Sequence, residues 1–474
     1  AKVIINDKDN IINDDRLEDH IGYGIDIIND NSVDFDSIDE LKEKDLNKII
    51  SIIGVEVDSM TKHDQANIWG PYRLVNQLNK LNMNDNCQLV KQYEANLSES
   101  IFFKKLLIKE SQTESFKIRD NDKTTFNLRL KEFRESVSKV AIIDDEINHW
   151  GDAYKALLKC NTDLFDQQNS IFEPKQTSNY DLIILDLRLE ERSTNDGSDQ
   201  LNIENISGMI LLDKIKKTDP TVPVIMCTAS NKSWSHDVAV SKGADGFWTK
   251  ESPTVSIGLD YSFHNTFDLI NVCFSALQWS IQVKPIFTKM NLIHDRIETI
   301  HQGIASSFRL KYDLIASNLL RPPNQFINKT FKNTLDFPFL IIWSIVNDIK
   351  RIVIKKRTKG KIEYVDCHFN KQKETIFTKN RGEKYKIYKE LDKIAKWYEP
   401  RFYVDEKVIM EYLLFKTFDQ KLYKKNSRKW NSFRKIRNQI DVIHGDDGKD
   451  KKDIKLNHIE SLLNIYHEII IKLK

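Results

Sequence analysis

The sequence predicts an α/β fold for the middle of the chain, with a small α/β unit before it and a mainly α-helical region after it. Three observations carry this. Four short apolar runs, 140–143, 182–185, 224–227 and 246–249, end on the Asp144-Asp145 pair, Asp186, Thr228 and Lys250 respectively. From about residue 263 onward apolar residues recur at helical spacing. Charge is divided between the halves. Residues 281–474 hold 41 Lys and Arg against 23 Asp and Glu, leaving 31 against 47 for residues 1–280 out of chain totals of 72 and 70.

Unbroken apolar runs of this length suit strands buried on both faces, and in open α/β sheets ligands bind beyond the carboxyl ends of the strands. The polar residues that end the runs therefore converge on one place. Three carboxylates brought together repel unless a hard cation joins them, and Mg²⁺ takes a few carboxylates together with water and phosphate oxygens. Asp186 is then placed to attack a phosphoryl donor, with Lys250 offsetting the charge of the transferring group and Thr228 hydrogen-bonding the new phosphoryl oxygen.

The stretches AIIDDE, YDLIILDLRL, SGMILLDKIKKTDPTVPVIMCTAS and KGADGFWTK resemble a response-regulator receiver domain over residues 137–283. The resemblance implies a doubly wound, flavodoxin-like sheet of five parallel strands. It implies Asp144, Asp145, Asp186 and the carbonyl of Arg188 as Mg²⁺ ligands, Asp186 as the phospho-acceptor, and a histidine kinase or phosphotransfer protein as partner. Thr228 and Lys250 take the switch positions, and Trp248 stands where the family keeps an aromatic rotamer switch. Two features depart from the family. A polar stretch at 190–200 lengthens the loop after the acceptor, placed to gate the pocket or hold a partner. Glu251 and Ser252 separate Lys250 from Pro253, where the family has proline directly after the lysine.

The length of 474 residues suggests three domains: 1–136, 137–283 and 284–474. An apolar content of 40% with 30% charged residues fits a globular protein. The chain shows no apolar segment long enough to span a bilayer and no signal-peptide core at residues 1–10, so a cytoplasmic location without membrane association is expected. Five scattered cysteines without a CxxC pair read as reduced thiols, those at 227 and 273 lying in apolar runs.

Residues 1–136 open on a strand-like run at 3–6, followed by helix-like stretches at 36–52 and 69–81. Asn6 stands where a second receiver would begin its acidic cluster, so a degenerate receiver-like unit is one reading. The His63-Asp64 pair reads as a solvated turn.

After the middle domain, helices are expected at 263–282, 286–320, 338–357, 383–398, 404–425, 427–444 and 454–473, with a hairpin or long loop at 358–378. Residues 421–437 carry eight Lys and Arg and no acid. In the helix expected at 427–444, capped by Asn426 or Ser427 and ended by Gly445, Trp430, Phe433, Ile436, Ile440 and Ile443 form an apolar stripe. Arg437 and His444 lie about 10 Å apart along one edge of it. A histidine that exchanges a proton with a 2′-hydroxyl and an arginine that stabilises a pentacoordinate phosphate can cleave RNA without metal, with Asn438 orienting either group. The segment IRNQIDVIHG resembles the Arg-Asn…His signature of HEPN domains, helical nucleic-acid-associated domains that often act as dimeric, metal-independent ribonucleases. This resemblance implies a homodimer, RNA as partner, and a use in stress or phage defence. The alternative is a non-enzymatic response regulator whose basic helical domain binds nucleic acid or a protein.

Overall fold

The structure, a computed structural model, describes residues 62–112, 118–166, 170–189, 206–229, 233–253, 258–320, 335–353, 406–438, 440 and 454–473, together with short strands between 363 and 403. The chain divides into two compact units, Ala1–Gln278 and Trp279–Lys474.

In the first unit five strands, β1 (Lys139–Ile143), β2 (Asn161–Phe165), β3 (Leu182–Asp186), β4 (Val224–Thr228) and β5 (Gly246–Thr249), pair in the order β2-β1-β3-β4-β5. Every pairing is parallel. The sheet is doubly wound, as expected. Side chains alternate between two faces: Val140, Ile142, Leu182, Ile184, Ile225, Cys227 and Trp248 enter one core, while Ala141, Ile143, Ile183, Leu185, Val224 and Met226 enter the other. β2 is the strand with no apolar run to announce it. It lies at the sheet edge, where only Phe165 is buried, so its sequence Asn-Thr-Asp-Leu-Phe had no need of one.

Before the sheet, four helices are described: α1 (Lys62–Lys80), α2 (Cys87–Leu97), α3 (Ile101–Gln112) and α4 (Asp120–Ser136). They share a core with α5 (Ile147–Leu158) and the start of α8 (Leu259–Ile300). Phe126 of α4 packs against Phe263 and Phe267 of α8 at 5.9 and 5.6 Å between ring centroids. The described residues before the sheet are thus helical and continuous with the sheet's own core; the expected strand at 3–6 and helix at 36–52 lie outside the described residues. His63-Asp64 corrects the reading as a turn, since both belong to the first turn of α1 and are half-buried. The other sheet face is covered by α6 (Ser207–Thr218) and α7 (Ser233–Ser241).

The second unit contains the rest of α8 and α9 (Gln302–Leu319), α10 (Asp336–Trp343), α11 (Ile345–Val353), α12 (Glu406–Thr417), α13 (Gln420–Arg437) and α14 (Leu456–Lys472). Its core is mainly Ile and Leu, with an aromatic group in which Trp343 stacks on Trp430 at 5.1 Å and Phe339 packs against Phe433. A hairpin of β7 (Asp366–Asn370) and β8 (Thr375–Lys379), extended by β9 (Lys386–Tyr388), fills the region expected to be a hairpin or loop. β6 (Glu363–Tyr364) pairs with β10 (Phe402–Tyr403). Of the expected helix at 383–398, residues 386–388 are strand and the others lie outside the described residues.

Several expected boundaries move. α8 runs through Pro285, where a break was expected, and the chain turns at His301 instead. The expected 338–357 helix divides at Ser344, whose hydroxyl donates to the Ile341 carbonyl. Asp419 splits the expected 404–425 helix and caps α13, accepting the Leu422 N–H at 2.9 Å. The capping role expected of Asn426 or Ser427 is therefore corrected. α13 ends at Arg437, with the Asn438 N–H bonded back to the Arg434 carbonyl.

Gly70 marks how closely α1 approaches the rest of the first unit. A Cβ there would lie 2.7 Å from the fully buried Trp150 ring and 3.0 Å from the Glu251 carbonyl oxygen. Helix propensity alone predicts that Gly70→Ala stabilises a helix by about 1 kcal/mol. Overpacking against a ring and a backbone oxygen predicts destabilisation by about 1–3 kcal/mol instead, to be read from the midpoint of urea unfolding.

Candidate functional site

The strand ends bring the expected residues together. Asp144 follows β1 and its N–H donates to the Phe165 carbonyl at 3.0 Å; Asp186 and Thr228 end β3 and β4. The Lys250 N–H donates to the Thr228 carbonyl at 2.7 Å, tying the residue after β5 to the end of β4. Asp144, Asp186, Thr228 and Lys250 are all buried. Gly208 opens α6 where any Cβ would collide with the carbonyl oxygens of Asp186 and Leu187, so the helix start sits directly against the acceptor strand.

Charge within the pocket is arranged around one ammonium. Lys250 Nζ lies 2.6 Å from Asp186 Oδ1 and 2.9 Å from Asp144 Oδ2. The second oxygens accept backbone N–H groups: Asp186 Oδ2 from Arg188 at 2.7 Å, and Asp144 Oδ1 from Glu146 at 3.0 Å. Burial would strip the Lys250 proton, but the charges of Asp144 and Asp186 outweigh it and hold the proton firmly. Burial raises the Asp144 pKa, with Asp186 adding to the rise and Lys250 opposing it.

Lys250 pairs with two of the three carboxylates expected to share a cation. Among the described residues no three His, Cys, Asp or Glu side chains stand in an arrangement that could hold a metal ion. Asp145 is left uncompensated. Its Oδ1 is buried without a hydrogen-bond partner among the described residues. Burial, then the charges of Asp186 and Asp144, push its pKa up to about 7. That orphaned, buried carboxylate oxygen is a hard donor of the kind Mg²⁺ takes.

Trp248 does not occupy a place where a ring can swing. It is buried on the face shared with α5 and α8, its Nε1 donating to the Asn265 carbonyl at 2.9 Å and its ring edge-on to Trp150 at 5.7 Å. The aromatic beside α7 is its neighbour Phe247, half-buried and packed against His236 at 5.3 Å. Alternation along a strand puts successive residues on opposite faces, so a shift of one position changes the assignment. The polar stretch 190–200 lies outside the described residues.

Two residues from α1, Asn67 and the His63 read from the sequence as part of a solvated turn, reach this pocket. Asn67 Oδ1 accepts from Lys250 Nζ at 3.1 Å and from Trp150 Nε1 at 3.0 Å. The pKa of His63, one turn earlier, is lowered by burial and then by the charges of Lys250 and Arg188. No local motif could have revealed them, because they lie more than 180 residues before Lys250 in sequence.

In the second unit, Tyr423, Trp430, Phe433, Ile436 and Ile440 are buried, so the aromatics of the basic segment are core and offer no stacking platform. Lys421, Lys424, Lys425 and Arg428 line an open groove on the first turns of α13. Arg437 Nη1 donates to Asn438 Oδ1 at 3.1 Å. His444 lies outside the described residues. α13 stops at Arg437, earlier than the helix expected at 427–444.

Asp145 gives a prediction with a definite sign. Its folded pKa of about 7 exceeds the unfolded value of about 3.9, so the stability contributed by its bound proton is full below about pH 4 and lost as pH rises through 7. Asp145→Asn, in EDTA, is expected to change stability little at pH 4 and to raise it at pH 8. The gain is about 2 kcal/mol, discounted because the side chain is only partly buried. Denaturant unfolding at the two pH values measures it.

Residues 140–257 match the family described as response regulator receiver domain. Comparison with curated proteins finds no match to the chain. No helix among the described residues is long and apolar enough to cross a membrane. The five-stranded parallel sheet and the Asp144, Asp186 and Lys250 cluster at its carboxyl edge agree with that match, so residues 140–257 are similar in sequence to the response regulator receiver domain of two-component systems.

Proposed function

We propose that phosphorylation of Asp186 controls a basic helical output unit that acts on RNA. The input reading is supported above all by the Lys250 ammonium, 2.6 Å from Asp186 Oδ1, with Thr228 on the adjoining strand end. An Asp186 carboxylate oxygen attacks the phosphorus of a phosphohistidine on the partner. The new P–O bond forms as the P–N bond breaks, and the imidazole leaves with the electron pair. Lys250 follows one phosphoryl oxygen and the Thr228 hydroxyl donates to another. Asp144, Asp145, Asp186 and the Arg188 carbonyl would hold Mg²⁺, which when bound neutralises charge on the transferring group.

The output reading is supported by the exposed cations of α13 and by Arg437 and Asn438 at its end. Arg437 stabilises the phosphate undergoing cleavage, Asn438 orients it, and His444 exchanges a proton with the 2′-hydroxyl or the leaving oxygen. A homodimer would bring two copies of this HEPN-like segment together, in a cytoplasmic protein of stress or phage defence. The end of α13 at Arg437 favours a second reading, in which the same basic face binds nucleic acid or another partner without cleaving it.

Asp186→Asn is expected to abolish phosphoryl incorporation from a small-molecule donor, while retained incorporation would refute the acceptor assignment. For the output, RNA cleavage by the full chain in EDTA should persist in the wild type and fall at least a hundredfold in His444→Ala. Equal cleavage by both, or none in either phosphorylation state, rejects the ribonuclease. Charge reversal at Lys424 and Lys425 should weaken RNA binding and flatten its salt dependence under either reading.

A further inference from the structure

Helix α1 enters the acidic pocket from outside residues 140–257. The Lys250 ammonium has three N–H donors, and its three oxygen partners are Asp186, Asp144 and Asn67, at 2.6, 2.9 and 3.1 Å. Asn67 is itself buried, and its Oδ1 also accepts the Trp150 indole N–H. Six residues further along α1, Arg73 donates to Glu251 at 3.0 Å, to Ser262 at 2.7 Å and to the Gly258 carbonyl at 2.9 Å, and it pairs with Glu110. One helix therefore grips both the residue that carries the ammonium and the residue after it. Pro71 has no N–H to offer the Asn67 carbonyl, so the helical ladder is interrupted at the turn that carries Asn67.

A residue present only to satisfy Trp150 would need one acceptor and no buried cation. Asn67 instead spans an indole and a charged amine, and it leaves its own buried Nδ2 without a hydrogen-bond partner among the described residues. That arrangement carries a cost that simple core packing does not explain.

We propose that Asn67 is a positioning residue of the phosphorylation site: it holds the Lys250 ammonium in the unmodified pocket and releases it when a phosphoryl group on Asp186 takes that ammonium, so that helix α1 reads the state of the site. The inference rests on Asp186 being the acceptor. A phosphoryl group adds charge and sets it further out than the carboxylate did. Lys250 exchanges the Asp186 carboxylate oxygen, no longer ionised once it is esterified, for a phosphoryl oxygen lying further out, and the ammonium that follows it draws away from Asn67 Oδ1, its most distant oxygen at 3.1 Å. Once Lys250 leaves, Trp150 Nε1 becomes the only donor to Asn67 Oδ1 among the described residues, and its environment changes with it.

The test uses the full chain labelled with ¹⁵N at tryptophan indoles, with the Trp150 resonance assigned through Trp150→Phe. Beryllium fluoride with Mg²⁺ should move the Trp150 indole resonance in the wild type and leave it in place in Asp186→Asn. In Asn67→Ala the resonance should be displaced beforehand and move less than in the wild type. Asn67→Ala should also incorporate phosphoryl from phosphoramidate faster, by up to about tenfold, as one bond restraining Lys250 is lost. Asn67→Asp, with an ionised acceptor, should slow incorporation. Opposite signs separate positioning from mere support, since damage to the fold would shift both rates the same way. An unmoved Trp150 resonance in wild-type protein that binds beryllium fluoride at Asp186 overturns the proposal, as do equal rates in the two Asn67 variants. Absence of both beryllium fluoride binding and phosphoryl incorporation in the wild type removes the acceptor role of Asp186, and this inference with it.

Discussion

The first unit depends on a buried amine. Lys250 sits wholly inside the protein between Asp144 and Asp186, and its ammonium pairs with a carboxylate oxygen of each. The sheet fixes this geometry by bringing β1, β3 and β5 to one edge, with the Lys250 N–H bonded to the end of β4. Compensation is incomplete, because one ammonium serves two carboxylates and Asp145 stays unpaired. The pocket is thus poised to accept further positive charge, which is the electrostatic condition for phosphoryl chemistry on a carboxylate.

Around that amine the protein builds an aromatic support. Trp150 lies within 5.3 Å of the ammonium and 5.7 Å of Trp248, stacks on Tyr154, and donates to Asn67. The same ring is what Gly70 must clear. One indole therefore connects α1, α5 and β5, and the electrostatics of the pocket and the packing of the N-terminal helices share a side chain. In the second unit the counterpart is the stacked pair Trp343 and Trp430, which uses the apolar face of α13 for the core and leaves its lysines outward.

Much of this was legible in the sequence, for identifiable reasons. Strands buried on both faces must be apolar throughout, so β1, β3, β4 and β5 announced themselves, and their terminal Asp144, Asp186, Thr228 and Lys250 followed. β2, an edge strand, carried no such signature. Trp248 was placed at the right strand but on the wrong face, because period two makes a single step decisive. The helical stripe of Trp430, Phe433, Ile436 and Ile440 was readable, whereas the ends of α13 were not. Asp419 was a stronger cap than Asn426 or Ser427, and Asn438 closed the helix before His444. Asn67 and Arg73 were invisible, since their roles arise only when a distant helix folds onto β5 and they look like ordinary helix polar residues in sequence.

The cover that α1 places over Trp150 and Glu251 has a consequence for modularity. Receiver domains are commonly treated as portable, with boundaries taken from the family match, here 140–257. A fragment cut at those limits would lose Asn67, which bonds Trp150 and Lys250, and Arg73 and Ser262, which bond Glu251. It would also lose Phe263, Leu269 and Ile270 of α8, which close the same sheet face. The packed unit is therefore larger than the segment that matches the family, and a cut at the family boundaries would separate the charged pocket from helices that pack against it.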